Sequence, residues 1–388
     1  MADVLSLSAA PLCREMSAEP VVPVLGLSVG SEADRLEELA VRHGRNYDAY
    51  LVTEPGWEYF WSRGRRGVVA VARQGRYLFS SGGLLAPEEH QPELLAQLVD
   101  HAERNRLVLS FFNIGEEQLP LFRSFGFQAT KWGEEALVDL PGRTWSGKCF
   151  EWVRRQTNFC RRHGLVMKEC VREAVSPARW ERLIAEVTEV SQLFLDSKPQ
   201  SNEMRFLQGG FDPQQMGRKR IFIARADEGA GRIEGFLACN PCDDGRTWVM
   251  ETFRQRPDAV RGTIPFLMHQ VMRQLKDEDV QRVSLCLIPG LGCREPLSGD
   301  SALARWGLVI GTQRFNLVFD TAGAYHFKSR FRPRFESRYL CVRPQMSLGA
   351  AMAFIRLLGV MKVDFGKIFQ LAVNRWRKRV SRATLWTP

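Results

Sequence analysis

Two stretches of the sequence concentrate side chains that do chemistry on charged substrates. In the run Glu251-Thr-Phe-Arg-Gln-Arg256, one carboxylate precedes two guanidinium groups, Arg254 and Arg256. The residues before it read as a strand and those after Gly262 as a helix. Glu251 then falls near a strand end, where α/β proteins place site residues. A carboxylate there can accept a proton or hold an ammonium, and a nearby arginine can stabilise developing negative charge. The second stretch carries His326, Lys328, Arg330, Arg332, Arg334 and Arg338. Arginine forks bind phosphate bidentately, so both strings suit a phosphorylated ligand, although a solvated basic face has the same composition. A third basic segment, with Lys148, Arg154, Arg155, Arg161 and Arg162, suits the backbone of a nucleic acid.

These side chains need a scaffold, and the composition says what kind. The chain has 388 residues, 45% hydrophobic and 25% charged, which is globular composition and excludes a wholly disordered protein. Lys+Arg 54 against Asp+Glu 44 gives a net charge of +10, which points to a polyanionic partner. The nine cysteines do not space as a disulfide framework and imply a reducing, cytoplasmic setting. Cys239 and Cys242 form one Cys-x-x-Cys without the second pair that zinc requires, so no metal is expected. There is no secretory signal and no uninterrupted apolar run long enough to cross a membrane.

Periodicity gives an α/β (α+β) chain with mixed sheets. Helices are expected at 31–43, 92–105, 116–125, 146–163, 177–195 and 262–276, and strands at 67–73, 77–81, 107–113, 127–140, 220–226, 232–239, 247–254 and 283–287. The order in the second half repeats that in the first. The expected division is a flexible segment 1–24, a first domain 25–143, a second domain 144–345 that includes the basic helix, and a tail 346–388. The tail reads as one amphipathic helix with a broad apolar face and a basic face ending in Arg375, Arg377, Lys378, Arg379 and Arg382. That pattern suits an anionic membrane surface, and equally a face packed on protein.

Several segments fall in one order: Tyr59-Phe-Trp-Ser62, Phe111-Phe-Asn-Ile114, Leu121 to Phe127, Trp132-Gly-Glu-Glu-Ala136 with Val138-Asp-Leu140, and Arg154 to Gly164. Gly235-Phe236, Glu251 to Ala259, and Phe327-Lys-Ser-Arg-Phe-Arg-Pro-Arg-Phe-Glu-Ser-Arg-Tyr-Leu340 continue it. Together they resemble the cytosolic catalytic domain of the phosphatidylglycerol lysyltransferases, or aminoacyl-phosphatidylglycerol synthases, over residues 25–345. The resemblance implies two tandem acetyltransferase-like (GNAT) domains. It implies transfer of an aminoacyl group from aminoacyl-tRNA, as co-substrate, to a hydroxyl of a lipid or other acceptor, with no further cofactor. Family members that make lysyl-lipid usually carry an N-terminal membrane region, and the expectation here is a form without it, cytoplasmic or peripheral to the membrane.

The donor ester is already activated, so an enzyme need only orient or deprotonate the hydroxyl and stabilise the oxyanion. The resemblance makes Glu251, where the family shows Asp, the candidate base or ammonium-binding group, with Arg254 and Lys328 as the other catalytic residues. Arg256, Arg332, Arg338, Arg154 and Arg161 become substrate-binding residues. Glu134 and Glu135 match the family motif and are expected to be structural. A CoA-dependent N-acyltransferase is the competing enzyme. Its pyrophosphate loop would be Arg256-Pro-Asp-Ala-Val-Arg-Gly262-Thr263, which has a single glycine and fits poorly. A non-catalytic lipid- or RNA-binding protein on a degenerate GNAT pair is the third reading.

Overall fold

The computed structural model describes residues 14–15, 32–197, 206, 209–226, 231–313 and 320–358. In chain order its elements are β1 (Arg14–Glu15), α1 (Glu32–His43), β2 (Glu58–Trp61), β3 (Val68–Gln74), β4 (Tyr77–Ser80), α2 (Gln91–Arg104), β5 (Val108–Gly115), α3 (Leu119–Ser124) and β6 (Gln128–Asp139). They continue with α4 (Glu151–Arg162), β7 (Leu165–Cys170), α5 (Pro177–Asp196), β8 (Arg220–Ala226), β9 (Ile233–Cys242), β10 (Thr247–Gln255) and α6 (Thr263–Asp277). The last are β11 (Arg282–Pro289), α7 (Ala302–Gln313), α8 (Thr321–Ser329), β12 (Arg334–Arg343) and α9 (Leu348–Leu357). The α/β class with mixed sheets read from the sequence is what these elements build.

The described residues form two compact units. The first holds those up to 143, with 240–249 and 279–354; the second holds 144–239, 250–278 and those from 355. The first unit is therefore not contiguous: the chain leaves it after Arg143 and returns twice, whereas the domains expected at 25–143 and 144–345 divide the sequence at a single point.

In the first unit the strands run β1-β2-β3-β4-β5-β12-β6-β11-β10. β4 and β5 are parallel, and the chain between them forms α2. That helix buries Leu94, Leu95, Leu98, Val99 and Ala102 along one stripe. All eight residues of β5 are buried, as a strand covered on both faces requires. Its neighbour β12 comes from almost the other end of the chain and pairs antiparallel with both β5 and β6. Phe111 and Phe122 meet edge to face at 5.0 Å between ring centroids, and Phe122 and Phe127 at 5.2 Å, closing the core beside α3.

In the second unit the order is β10-β9-β8-β7. β8 and β9 form the expected hairpin, and β7 pairs antiparallel with β8. α5 lays Ile184, Val187 and Val190 on Ile221, Ile223 and Phe236.

β1, β2, β7, α7 and α8 fall where the sequence reading expects no element, and other places differ from it as well. The helix expected at 146–163 starts at Glu151, because Gly147 (φ 79°) and a 3₁₀ turn at Lys148–Phe150 precede it. The helix expected at 116–125 is a 3₁₀ turn followed by the short α3. Glu251 sits in the middle of β10, not near its end. The basic string before Leu340 contains a whole strand, β12. Of the tail expected as one helix, α9 is described and 359–388 lie outside the described residues, as does the segment 1–24 apart from β1.

Phe122 is fully buried among these rings. Phe122→Ala is expected to cost about 3–5 kcal/mol, read as a lower urea midpoint with an unchanged slope.

Candidate active site

Antiparallel pairing of β12 with β6 places Glu336 directly opposite Glu135. Facing like charges destabilise a sheet unless a cation joins them. Arg338 is that cation, two residues from Glu336 and so on the same face of β12. Its Nε donates to Glu135 Oε2 at 2.7 Å, and its Nη2 reaches Glu135 at 2.6 Å and Glu336 at 3.1 Å. The side chains of Arg338 and Glu135 are 6% and 2% exposed, so the pair is desolvated and depends on these bonds. The other Glu135 oxygen accepts from Ser284 Oγ at 2.5 Å.

Ser284 begins a β-bulge. Between Ser284 and Leu287, β11 spends three steps where β6 spends two, and Cys286 takes φ 65°. The bulge turns two carbonyls toward α8, where Lys328 Nζ donates to Cys286 O at 3.1 Å and Leu287 O at 2.9 Å. Burial lowers the Lys328 ammonium to about 8. A cavity of about 650 Å³ opens beside the Glu135–Arg338 pair, lined also by Asn46, Glu117, Arg282 and Glu336. The bonds to Glu135 and Glu336 use Nε and Nη2 of Arg338, so Nη1 can serve a ligand.

A second buried polar group lies in the same unit. Asp48 accepts from Ser81 Oγ and, at 2.6 Å, from Asn113 Nδ2, which also meets Tyr47 Oη at 3.2 Å. Asn113 holds φ 61° within β5, a conformation that Asn tolerates better than most residues. Burial raises the Asp48 carboxyl to about 7, against the pull of its bonds from Ser81 and Asn113. Tyr47 is raised well above its usual value, by burial first and then by Asp48.

In the second unit the expected site residues are otherwise engaged. The Glu251 carboxylate takes Lys219 Nζ on both oxygens at 3.1 Å, with side chains 2% and 1% exposed. Arg254 lies three residues on, hence on the opposite face of β10. It donates to Ser191 Oγ, with its guanidinium over Phe194 and Phe211. Arg256 donates to Ile233 O and Glu189 at 2.8 Å each. Arg154 ties Trp145 O and Gly147 O to the start of α4. Arg161 is exposed and bonds Gln270 at 3.0 Å. In the first unit Arg332 is exposed, and His326 is exposed and bonded to Arg330. Of the residues singled out in the sequence, the first unit gathers Lys328 and Arg338 around Glu135; Glu251 and Arg254 are held apart on opposite faces of one strand. Glu135 lines a cavity, Ser284 braces it, Asn113 lies in the segment Phe111-Phe-Asn-Ile114 that carries the family resemblance, and Asp48 lacks any local signature in the sequence.

The start of α6 is a poor CoA pyrophosphate cradle. Thr263 N–H is bonded to Val260 O, Pro265 has no N–H, and α4 lies across Gly262. A Cβ on that glycine would stand 2.6 Å from Gln156 Oε1, and Cys160 Sγ reaches Arg261 O. Anion binding at a helix start needs several convergent amides, which this start does not offer. The single glycine of the loop was the signal read in the sequence, and Pro265 adds to it.

A family model described as phosphatidylglycerol lysyltransferase, C-terminal, matches residues 37–342. Phosphatidylglycerol lysyltransferase of Bacillus subtilis (strain 168) is 25% identical over 342 residues, covering 87% of this chain and 38% of that protein. The protein of the same name from Staphylococcus aureus (strain COL) is 22% identical over 333 residues, covering 84% and 37%. The chain thus spans less than two fifths of the length of these relatives. Among solved structures, L-PGS from Bacillus licheniformis superposes with a TM-score of 0.69 at 22% identity, covering 84% of this chain and 96% of that one. A C-terminal domain (DUF2156) from Agrobacterium fabrum gives 0.69 at 24% identity, covering 83% and 94%. These likenesses establish a shared fold.

Two outcomes follow from the buried charges. Glu251→Gln removes the buried carboxylate charge that meets the Lys219 ammonium and is expected to cost about 3–5 kcal/mol, whereas Lys219→Met with Glu251→Leu restores most of that loss, as thermal unfolding will read. An unfolded Asp titrates near 3.9, so from about pH 4 to 7 the folded state keeps a proton on Asp48 that the unfolded state has lost. Stability from this group is present below pH 4 and is lost as pH rises to 7. Asp48→Asn is expected to flatten the pH dependence of the urea midpoint across that window.

Proposed function

The chain belongs to the phosphatidylglycerol lysyltransferase C-terminal family, and from that premise we propose that it moves an aminoacyl group from aminoacyl-tRNA to a hydroxyl of a phosphatidylglycerol-like lipid. The observation that carries the reading is the Glu135–Arg338 pair at the wall of a cavity of about 650 Å³. In the step, the acceptor oxygen attacks the ester carbonyl, the bond from that carbon to the ribose oxygen breaks, and the acceptor proton passes to the departing ribose oxygen. Glu135 lines the cavity and relays that proton. Arg338 Nη1 stabilises the oxyanion. Lys328 fixes the bulge that sets Ser284 and through it Glu135. In this proposal Glu251 acts as the buried counter-ion of Lys219, and Arg254 and Arg256 hold β10 against α5.

The tandem GNAT arrangement belongs to the same proposal, supported by the repeated element order. So does action at the cytoplasmic face of an anionic membrane through residues 346–388. No described helix is long and apolar enough to cross a membrane. The start of α6 weighs against the CoA-dependent alternative.

Incubation of the protein with each labelled aminoacyl-tRNA and phosphatidylglycerol vesicles tests this. Label from at least one aminoacyl-tRNA is expected in the organic phase. Arg338→Lys keeps the charge but loses the fork, and is expected to slow transfer about 100-fold with thermal unfolding checked alongside. No organic-soluble label, with acetyl-CoA consumed in the presence of an amine, would overturn the proposal.

A further inference from the structure

The arginines of the second unit include a carboxylate-paired set and an exposed, unpaired set, the latter also containing Arg172, Arg179 and Arg182. Arg220, Arg225, Arg232 and Arg256 each meet a carboxylate at 2.6–2.8 Å. Arg161, Arg162, Arg261 and Arg273 are all exposed and have no carboxylate partner among the described residues. These four are gathered by the packing of α4 on α6. Cys160 Sγ meets Arg261 O at 3.5 Å, Thr157 Oγ1 meets His269 Nδ1 at 2.9 Å, and Arg161 bonds Gln270, three residues before Arg273. The buried His269 beneath them is lowered to about 4, by burial first and then by Arg273 and Arg161, which places both guanidiniums near it. Beside Arg161 a groove of about 460 Å³ runs between the end of α4, β7 and α6, with Leu165, Met167 and Phe266 in its floor and Gln270 on its wall.

We propose that this groove is the RNA-binding surface of the protein, with Arg161, Arg162, Arg261 and Arg273 on successive phosphates of a tRNA backbone. The inference rests on the tRNA-dependent reading above and adds to it the surface that holds the donor. Arg161 lines the groove and the other three arginines lie on the adjoining elements; unneutralised guanidiniums so placed suit a polyanionic chain, because each phosphate contact releases condensed counterions and arginine forks match phosphate geometry. A bilayer is the other polyanion, and it requires apolar side chains to insert. The exposed large apolar residues of the protein include none on α4 or α6. An apolar floor within a groove instead suits an unstacked base.

The test is binding of fluorescein-labelled, unacylated tRNA by anisotropy across a salt series, with flotation on phosphatidylglycerol/phosphatidylethanolamine vesicles in parallel. Arg161→Ala with Arg273→Ala is expected to reduce the slope of log K against log salt by about 1.4–1.8, with unchanged thermal unfolding and unchanged flotation. Arg104→Ala, on an exposed arginine of α2 paired with Asp100, is expected to leave the slope as in wild type. An unchanged slope in the double variant overturns the proposal, as does loss of flotation with tRNA binding retained. Binding requires no turnover, so a protein that binds tRNA through this groove but transfers nothing would sink the proposed reaction and leave the surface standing.

Discussion

A buried guanidinium between two facing carboxylates is the constraint on which the first unit turns. β12 is threaded between β5 and β6, and its register puts Glu336 against Glu135. Without Arg338 that register would set two like charges against each other across one strand pair, with Glu135 buried and Glu336 partly exposed. With it the strand is locked in place, because a slip by one residue would carry Arg338 to the other face of the sheet. The same residue that fixes the strand lines a cavity, with its Nη1 outside the bonds to Glu135 and Glu336. Ser284, the bulge behind it and Lys328 extend the arrangement to a third strand and a helix. Structure and candidate chemistry are here one set of bonds.

The net charge of +10 acquires a more limited meaning. Many of the basic residues that suggested phosphate binding are consumed inside the protein. Arg254 and Arg256 brace β10, Arg154 caps the approach to α4, and Lys219 neutralises Glu251. What stays available for a polyanion includes the unpaired set at α4 and α6, with Arg172, Arg179, Arg182 and Arg332 elsewhere among the described residues. Composition reports an excess of cations; only the pairing shows which of them a partner can reach.

The sequence was legible where one element decides the pattern. The β8–β9 hairpin, α2 with its early proline, and the class of the fold all follow from local periodicity and turn residues. It was less legible where residues far apart in the chain meet. β12 reads as a basic string because its alternation Arg334, Glu336, Arg338 makes sense only opposite Asp139 and Glu135, some 200 positions earlier. Glu135 had the residue type and the family motif, but its strand partner gives it its place beside the cavity. Asp48 carries no motif at all, and Asn113, inside the family segment Phe111–Ile114, is singled out only by its burial and its bonds to Asp48 and Tyr47. Glu251 shows the opposite case: its type and place suit a base, and nothing local announces that Lys219, 32 residues before it, meets both its oxygens.

The central claim is that acyl transfer occurs at Glu135 and Arg338. Its most direct test is the single-turnover rate at which Glu135→Gln protein releases the aminoacyl group from pre-bound tRNA to lipid vesicles. The account predicts a rate at least about 100-fold below wild type with tRNA affinity unchanged. A wild-type rate in a folded Glu135→Gln protein would contradict it.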